Sequence, residues 1–245
     1  MDFRFIVPQA FTASRILFAG SAIFASIFVE TNLAATLITL GAVTDGLDGP
    51  IARKLGVTSE FGALFDYFSD YLCYIVAPSI LSFVVVNKPG DPLSITILGL
   101  PLLAGAIRYA RNGLRLRNEN FAEVGYPGLG TVIYAFFIVT LTFIRPEEFV
   151  GPVLLSRVIL SIVLLVSCLM VLPVRYPKLL KYKWISCIIL PGFVLMPFFF
   201  TRTLAAITLA LGCVYTFVSP FFMNQGSPVS APQKLPDSSD NLSRR

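Results

Sequence analysis

Histidine does not occur anywhere in these 245 residues. Its absence excludes histidine-activated nucleophiles and phosphohistidine chemistry, and it leaves carboxylates, lysine and tyrosine as the candidate bases. Charge is scarce as well: Asp, Glu, Lys and Arg make up 13% of the chain, well under the ~25% usual in soluble domains. With 56% hydrophobic residues and a mean hydropathy of +0.78, a soluble fold would lack the polar surface to cover itself. The four cysteines, Cys73, Cys168, Cys187 and Cys213, stand singly in apolar runs. They form neither a metal-ligand spacing nor a disulfide framework, and they read as small buried hydrophobes. The single tryptophan, Trp184, follows Lys183 and reads as an interfacial anchor.

What is present is apolar sequence in long runs. A membrane-spanning helix needs about 20 predominantly apolar residues, and the chain offers eight such stretches: 11–29, 32–52, 61–87, 94–114, 127–144, 152–173, 184–200 and 203–223. The expected fold class is all-α, a polytopic membrane helix bundle of about eight transmembrane helices over residues 1–224. Residues 225–245, rich in Ser, Pro, Asn and Asp, read as a disordered polar tail. The first apolar run lacks a basic leader and a small-residue cleavage site, so no cleavable signal is expected. An even number of spans puts both termini on one side, and the positive charges then divide fifteen against four between the two sides. The richer side, which also holds the acidic cluster described next, is expected to face the cytoplasm.

Against this background the negative charge is concentrated. Four of the 14 acidic residues, Asp45, Asp48, Asp66 and Asp70, fall within 26 positions of apolar sequence. Carboxylates are costly in lipid, so acids there point to function. Asp45 and Asp48 are three apart and Asp66 and Asp70 four apart, so each pair shares a helix face. A short connection around residues 54–60 makes the two helices antiparallel neighbours and lets the four acids converge. Four converging carboxylates need compensating cations, protons or metal ions. Oxygen-only ligands favour Mg²⁺, Mn²⁺ or Ca²⁺ over zinc, and a pair of such ions is the usual clamp for displacement at phosphorus. Gly49, Ala52 and Gly62 leave room for a flat ligand beside the acids. Arg53 offers a bidentate phosphate contact, or else it is an arginine snorkelling to the membrane surface.

These residues form a frame, Asp45-x₂-Asp48-Gly49-x₂-Ala52-Arg53-x₈-Gly62-x₃-Asp66-x₃-Asp70, that resembles the full signature of the CDP-alcohol phosphatidyltransferase family. Upstream, Pro8-Gln9-Ala10-Phe11-Thr12-Ala13-Ser14-Arg15 is similar to the family's motif Pro-Asn-x-x-Thr-x-x-Arg, with Gln9 where asparagine is usual. The resemblance implies a polytopic homodimer that binds two divalent cations, Mg²⁺ or Mn²⁺. Asp45, Asp48 and Asp66 would be metal ligands. Asp70 would sit with the metals and act as general base. Thr12, Arg15, Gly49, Ala52, Arg53 and Gly62 would contact the CDP-lipid. The implied reaction moves a phosphatidyl group from CDP-diacylglycerol to a small alcohol in the bilayer, with no nucleic acid partner.

For the alcohol, Gly105-Ala106-Ile107-Arg108-Tyr109-Ala110-Arg111-Asn112 is similar to the arginine-containing fourth helix of the phosphatidylserine synthase branch. Gly125–Gly130 and the segment Leu169–Lys178 resemble that branch more loosely. L-serine is therefore the expected acceptor, with Arg108 and Arg111 as candidate contacts for its carboxylate. Glycerol 3-phosphate, inositol, inositol phosphate and choline stay open, and both arginines have a second reading as topology determinants. A reading from another class is an ion-coupled secondary transporter. Its acids would lie near the bilayer midplane at a repeat interface, whereas these lie toward one end of two adjacent helices.

Overall fold

The computed structural model describes residues 3–57, 59–86, 91–116, 128–145, 149, 151–172, 174, 176, 193, 195 and 202–223. Their regular structure is entirely helical. We number the helices α1 (Phe3–Ile27), α2 (Thr31–Leu55), α3 (Glu60–Val85), α4 (Pro92–Leu116), α5 (Thr131–Ile144), α6 (Pro152–Val171) and α7 (Arg202–Met223). α3 is one continuous rod whose middle, Leu72–Val76, winds as a π-helix.

Four stretches, Ile6–Ile27, Glu60–Val85, Pro92–Gly113 and Pro152–Val171, are long and apolar enough to cross a membrane; α5 and the Ala205–Phe217 part of α7 are shorter apolar helices. The all-helical expectation therefore stands. The expected count of eight spans is not reached among the described residues, which give the seven helices above. The span expected at 184–200 lies almost wholly outside the described residues, as does the tail 225–245. α2 falls below the apolar threshold because it carries Asp45 and Asp48, so the helix that holds the acids is also the one hardest to recognise as a span.

α1 begins at Phe3, eight residues before its expected start, and takes Pro8 inside. Next to lipid, the backbone has no water to satisfy it and stays helical wherever it can. α1 and α2 then turn back on each other through Phe28–Glu30, where Val29 adopts a left-handed φ of 66° and the Glu30 amide donates to the Ala25 carbonyl at 2.9 Å. Ala19, Ala22, Ala34 and Ala35 are fully buried, and α1 packs against α2 more extensively than any other helix pair does. Small residues at the contact let two backbones approach closely, the usual device where lipid removes the hydrophobic drive to associate.

The α2–α3 connection sets the geometry of the site. Gly56 follows the last residue of α2 with a φ of +67°, a left-handed stop that favours glycine. Ser59 then caps α3, its hydroxyl accepting from the Gly62 amide at 3.0 Å. The reversal is tight, and α2 and α3 run antiparallel as expected.

α5 is the centre of the bundle: every residue from Thr131 to Phe143 except Val132 is buried. α4 and α6 pair beside it. Of the three described cysteines, Cys73 matches the expected burial; Cys168 is exposed and Cys213 half-buried, because the outer face of a membrane bundle is itself apolar. Cys187 lies outside the described residues.

Candidate active site

Three helices contribute to the acidic cluster. Asp45 and Asp48 lie in the C-terminal half of α2, and Asp66 and Asp70 in the N-terminal half of α3. At 1.5 Å per residue this puts all four about 9–15 Å from the helix ends at the α2–α3 turn, with Asp48 and Asp66 nearer the turn than Asp45 and Asp70. α1 supplies the counter-charge. Arg15 is completely buried, and its guanidinium pairs with Asp45 at 2.7 Å and Asp66 at 2.9 Å. It pairs as well with Asp48 and with Asp70. Ser69 accepts a further hydrogen bond from Arg15 Nη1 at 3.1 Å and donates to the Asp66 carbonyl.

Side-chain hydroxyls hold two of the carboxylates as well. Thr12 Oγ1 donates to Asp48 Oδ2 at 3.3 Å. The Tyr74 hydroxyl donates to Asp45 Oδ2 at 2.8 Å. A carboxylate so tethered has its free edge aimed in one direction, which is how outer residues orient metal ligands.

One ligand oxygen each from Asp45, Asp48 and Asp66 lie within 4.8 Å of one another, close enough to share a cation. Asp70 stands outside this trio, joined to it through Arg15. Four carboxylates opposed by one guanidinium leave a formal charge of −3, that is −4 + 1, in a poorly solvated site. One divalent cation reduces this to −1 and two bring it to +1. The donors are all oxygen, the choice of hard cations. The residues fit the divalent cations that the signature implies.

A cavity of about 290 Å³ opens beside the cluster, lined by Gln9, Thr12, Asp48, Gly49, Gly62 and Asp66 among others. Its width depends on glycine: a Cβ on Gly62 would come within 2.8 Å of Gln9 Nε2 and 3.1 Å of Ser59 Oγ. Thr12, Gly49 and Gly62, expected to contact the nucleotide, thus share one wall with two of the acids. The side chains of Ala52 and Arg53 lie outside the described residues.

Arg108 and Arg111 stand elsewhere. Arg108 is buried and donates to the Gly128 carbonyl at 3.1 Å. Arg111 donates to the Val171 carbonyl at 3.2 Å and the Met170 carbonyl at 3.3 Å, so it ties α4 to the C-terminal end of α6. Neither lines the cavity.

Sequence reasoning passed over Ser69 and Tyr74. Both were within reach of it: Tyr74 continues the four-residue step Asp66, Asp70, Tyr74 along one face of α3. That Arg15 would pair with all four acids had no sequence signal, because it depends on how α1 leans across two other helices.

Known proteins of similar sequence identify the family. A CDP-diacylglycerol–serine O-phosphatidyltransferase of Helicobacter pylori is 27% identical over 213 residues, 85% of this chain and 87% of that protein. One of the same description from Methanocaldococcus jannaschii is 29% identical over 143 residues, 58% of this chain and 63% of that protein. A phosphatidylcholine synthase of Brucella melitensis is 33% identical over 126 residues, 49% of this chain and 43% of that protein. The family model for CDP-alcohol phosphatidyltransferases matches residues 5–218 and so takes in every helix that builds the cluster. With its acidic frame set in apolar helices, the chain is an integral membrane phosphotransferase and belongs to the CDP-alcohol phosphatidyltransferase family.

Proposed function

We propose that this protein is a phosphatidylserine synthase, converting CDP-diacylglycerol and L-serine to phosphatidylserine and CMP. The observation that carries the reaction type is the trio of carboxylates within 4.8 Å beside a cavity walled by the signature glycines. Serine as acceptor rests on the similarity to the Helicobacter pylori enzyme, which extends over 85% of the chain.

In this reading the acyl chains stay in lipid and the nucleotide occupies the cavity between α1, α2 and α3. Gly49 and Gly62 give it room, with Thr12, Ala52 and Arg53 beside it. Arg15 sits behind the acids and holds them in place. Two divalent cations, Mg²⁺ or Mn²⁺, held by Asp45, Asp48 and Asp66 with Asp70 alongside, would neutralise the diphosphate and stabilise the departing CMP. Asp70 takes the proton from the serine hydroxyl. The serine oxygen then attacks the phosphatidyl phosphorus, and its new P–O bond replaces the one to CMP, which leaves as the anion. Arg108 and Arg111 are the candidates to hold the serine carboxylate, in exchange for the backbone carbonyls they hold outside the cavity; each would contribute a charged hydrogen bond of about 1.5–3 kcal/mol.

Choline is the second acceptor to weigh, since relatives called phosphatidylcholine synthases match about half of the chain. Choline is a cation without a carboxylate and gains nothing from two arginines. The test is release of CMP from CDP-diacylglycerol with serine, choline, inositol, inositol phosphate and glycerol 3-phosphate offered in parallel. Serine should give product, and Arg108→Ala or Arg111→Ala should raise its KM about ten- to hundred-fold. Product with choline alone would replace the serine assignment and leave the reaction type standing.

A further inference from the structure

The Tyr74 hydroxyl donates to a member of the acidic cluster, Asp45 Oδ2, at 2.8 Å. Tyr74 itself is 1% exposed, so its ring is held in the packed interior while its hydroxyl reaches the half-buried carboxylate. It sits inside the π-helical segment Leu72–Val76. π-helices are rare, appear mostly as single turns within α-helices, and are frequent at functional sites.

The packing around it is equally specific. Gly41 lies one helical turn before Asp45 on the same face of α2, and a Cβ there would fall 2.5 Å from Cys73 Sγ. α2 and α3 therefore touch where only glycine fits, and the residue after Cys73 is brought under Asp45. The other Asp45 oxygen, Oδ1, is the one that pairs with Arg15 at 2.7 Å and faces the cluster. Tyr74 holds the back of the carboxylate, Oδ2, and thereby sets the direction in which the front points.

We propose that Tyr74 is a positioning residue for the metal site: its hydroxyl fixes the Asp45 carboxylate in the orientation in which it binds a divalent cation. This rests on the metal-binding reading of the cluster given above. A buried phenol needs a hydrogen-bond partner in any case, so the measurement must separate a structural bond from an orienting one. Outer residues that orient metal ligands typically change metal affinity 10–100-fold when removed.

The experiment is direct Mn²⁺ titration by electron paramagnetic resonance on the detergent-purified full chain, without lipid substrate. Wild type, Tyr74→Phe and Tyr134→Phe are compared, with thermal unfolding of each. Tyr134 is the control: it is equally buried and pairs with Ser79 at 3.2 Å, away from the acids. We expect Tyr74→Phe to weaken Mn²⁺ binding about ten- to hundred-fold and Tyr134→Phe to leave it as in wild type. Catalytic activity of Tyr74→Phe should recover at saturating Mn²⁺. Equal Mn²⁺ affinity in wild type and Tyr74→Phe overturns the positioning role. Failure of wild type itself to bind Mn²⁺ overturns the metal reading beneath it. Should Tyr74→Phe not purify folded, 2,3-difluorotyrosine at position 74 takes its place, because it keeps the ring and changes only the hydroxyl's donor strength. An affinity shift then supports the proposal, and an unchanged affinity overturns it.

Discussion

Arg15 has no access to solvent and is shared by four carboxylates. Breaking a buried charge cluster by removing one partner typically costs about 3–5 kcal/mol, because the others are left uncompensated. Arg15→Ala should therefore lose folded protein as well as activity, and it is a poor probe of mechanism. Asp70→Asn is the better one. It keeps the shape, lies outside the trio of closely spaced ligands, and removes the proposed base. Turnover should fall by about 10²–10⁴ while binding of CDP-diacylglycerol, measured by equilibrium titration, stays near wild type. Asp48→Asn should instead weaken Mn²⁺ binding, and excess EDTA should silence the wild-type enzyme until Mg²⁺ or Mn²⁺ is restored. Full turnover in EDTA would remove the divalent ions from the reaction.

The α2–α3 pair is the element that makes the site, and two of its glycines play different parts. Gly41 packs on Cys73 deep in the bundle, with 2.5 Å left for a Cβ. Gly62 faces Gln9 at the cavity, where the obstructing atom is the far end of a flexible side chain at 2.8 Å. Gly41→Ala forces the helices apart and should cost about 1–3 kcal/mol of stability, as overpacking does. Cys73→Ala in the same chain removes the clashing sulfur and should restore part of it, a coupling that a double-mutant cycle reads directly. Gly62→Ala should leave thermal unfolding nearly unchanged and raise the KM for CDP-diacylglycerol. If both glycine variants were silent in unfolding and in KM, the close approach of α2, α3 and α1 described here would be wrong.

For the whole molecule, the fifteen-to-four division of positive charge that goes with eight spans would put the site on the cytoplasmic side, and the acids lie in the half of the bundle near the α2–α3 turn. A green fluorescent protein fused after Arg245 should fluoresce, and an alkaline phosphatase fused there should be inactive; the opposite pair would invert the assignment. The family match ends at residue 218, so a chain stopped after residue 224 should keep full activity. A homodimer remains the expectation from the family resemblance. Phe24, Phe61, Leu64 and Phe68 are exposed apolar residues on the site-forming helices, and they face either lipid or a second copy. Mass measurement of the detergent-purified protein by light scattering distinguishes the two.

Composition and one spaced motif were enough to read a membrane helix bundle, the two helices that carry the acids, their antiparallel return and the class of reaction. These follow from local physics: carboxylates are costly in lipid wherever they fall, and residues three or four apart on a helix share a face whatever surrounds it. α1 runs back through Pro8 to Phe3, beyond the apolar stretch at 11–29, because a backbone without water partners stays helical where it can. The apolar exterior left Cys168 exposed where burial was expected. Only the tertiary structure decided which groups meet. It placed Arg15 among all four acids, Tyr74 behind Asp45, and Arg108 and Arg111 on backbone carbonyls away from the cavity. The Arg15 and Tyr74 contacts depend on how α1 leans on α2 and on the π turn within α3, and those of Arg108 and Arg111 on how α4 meets α6 and Gly128. Both are consequences of close packing between segments distant in the chain, and no local spacing encodes them.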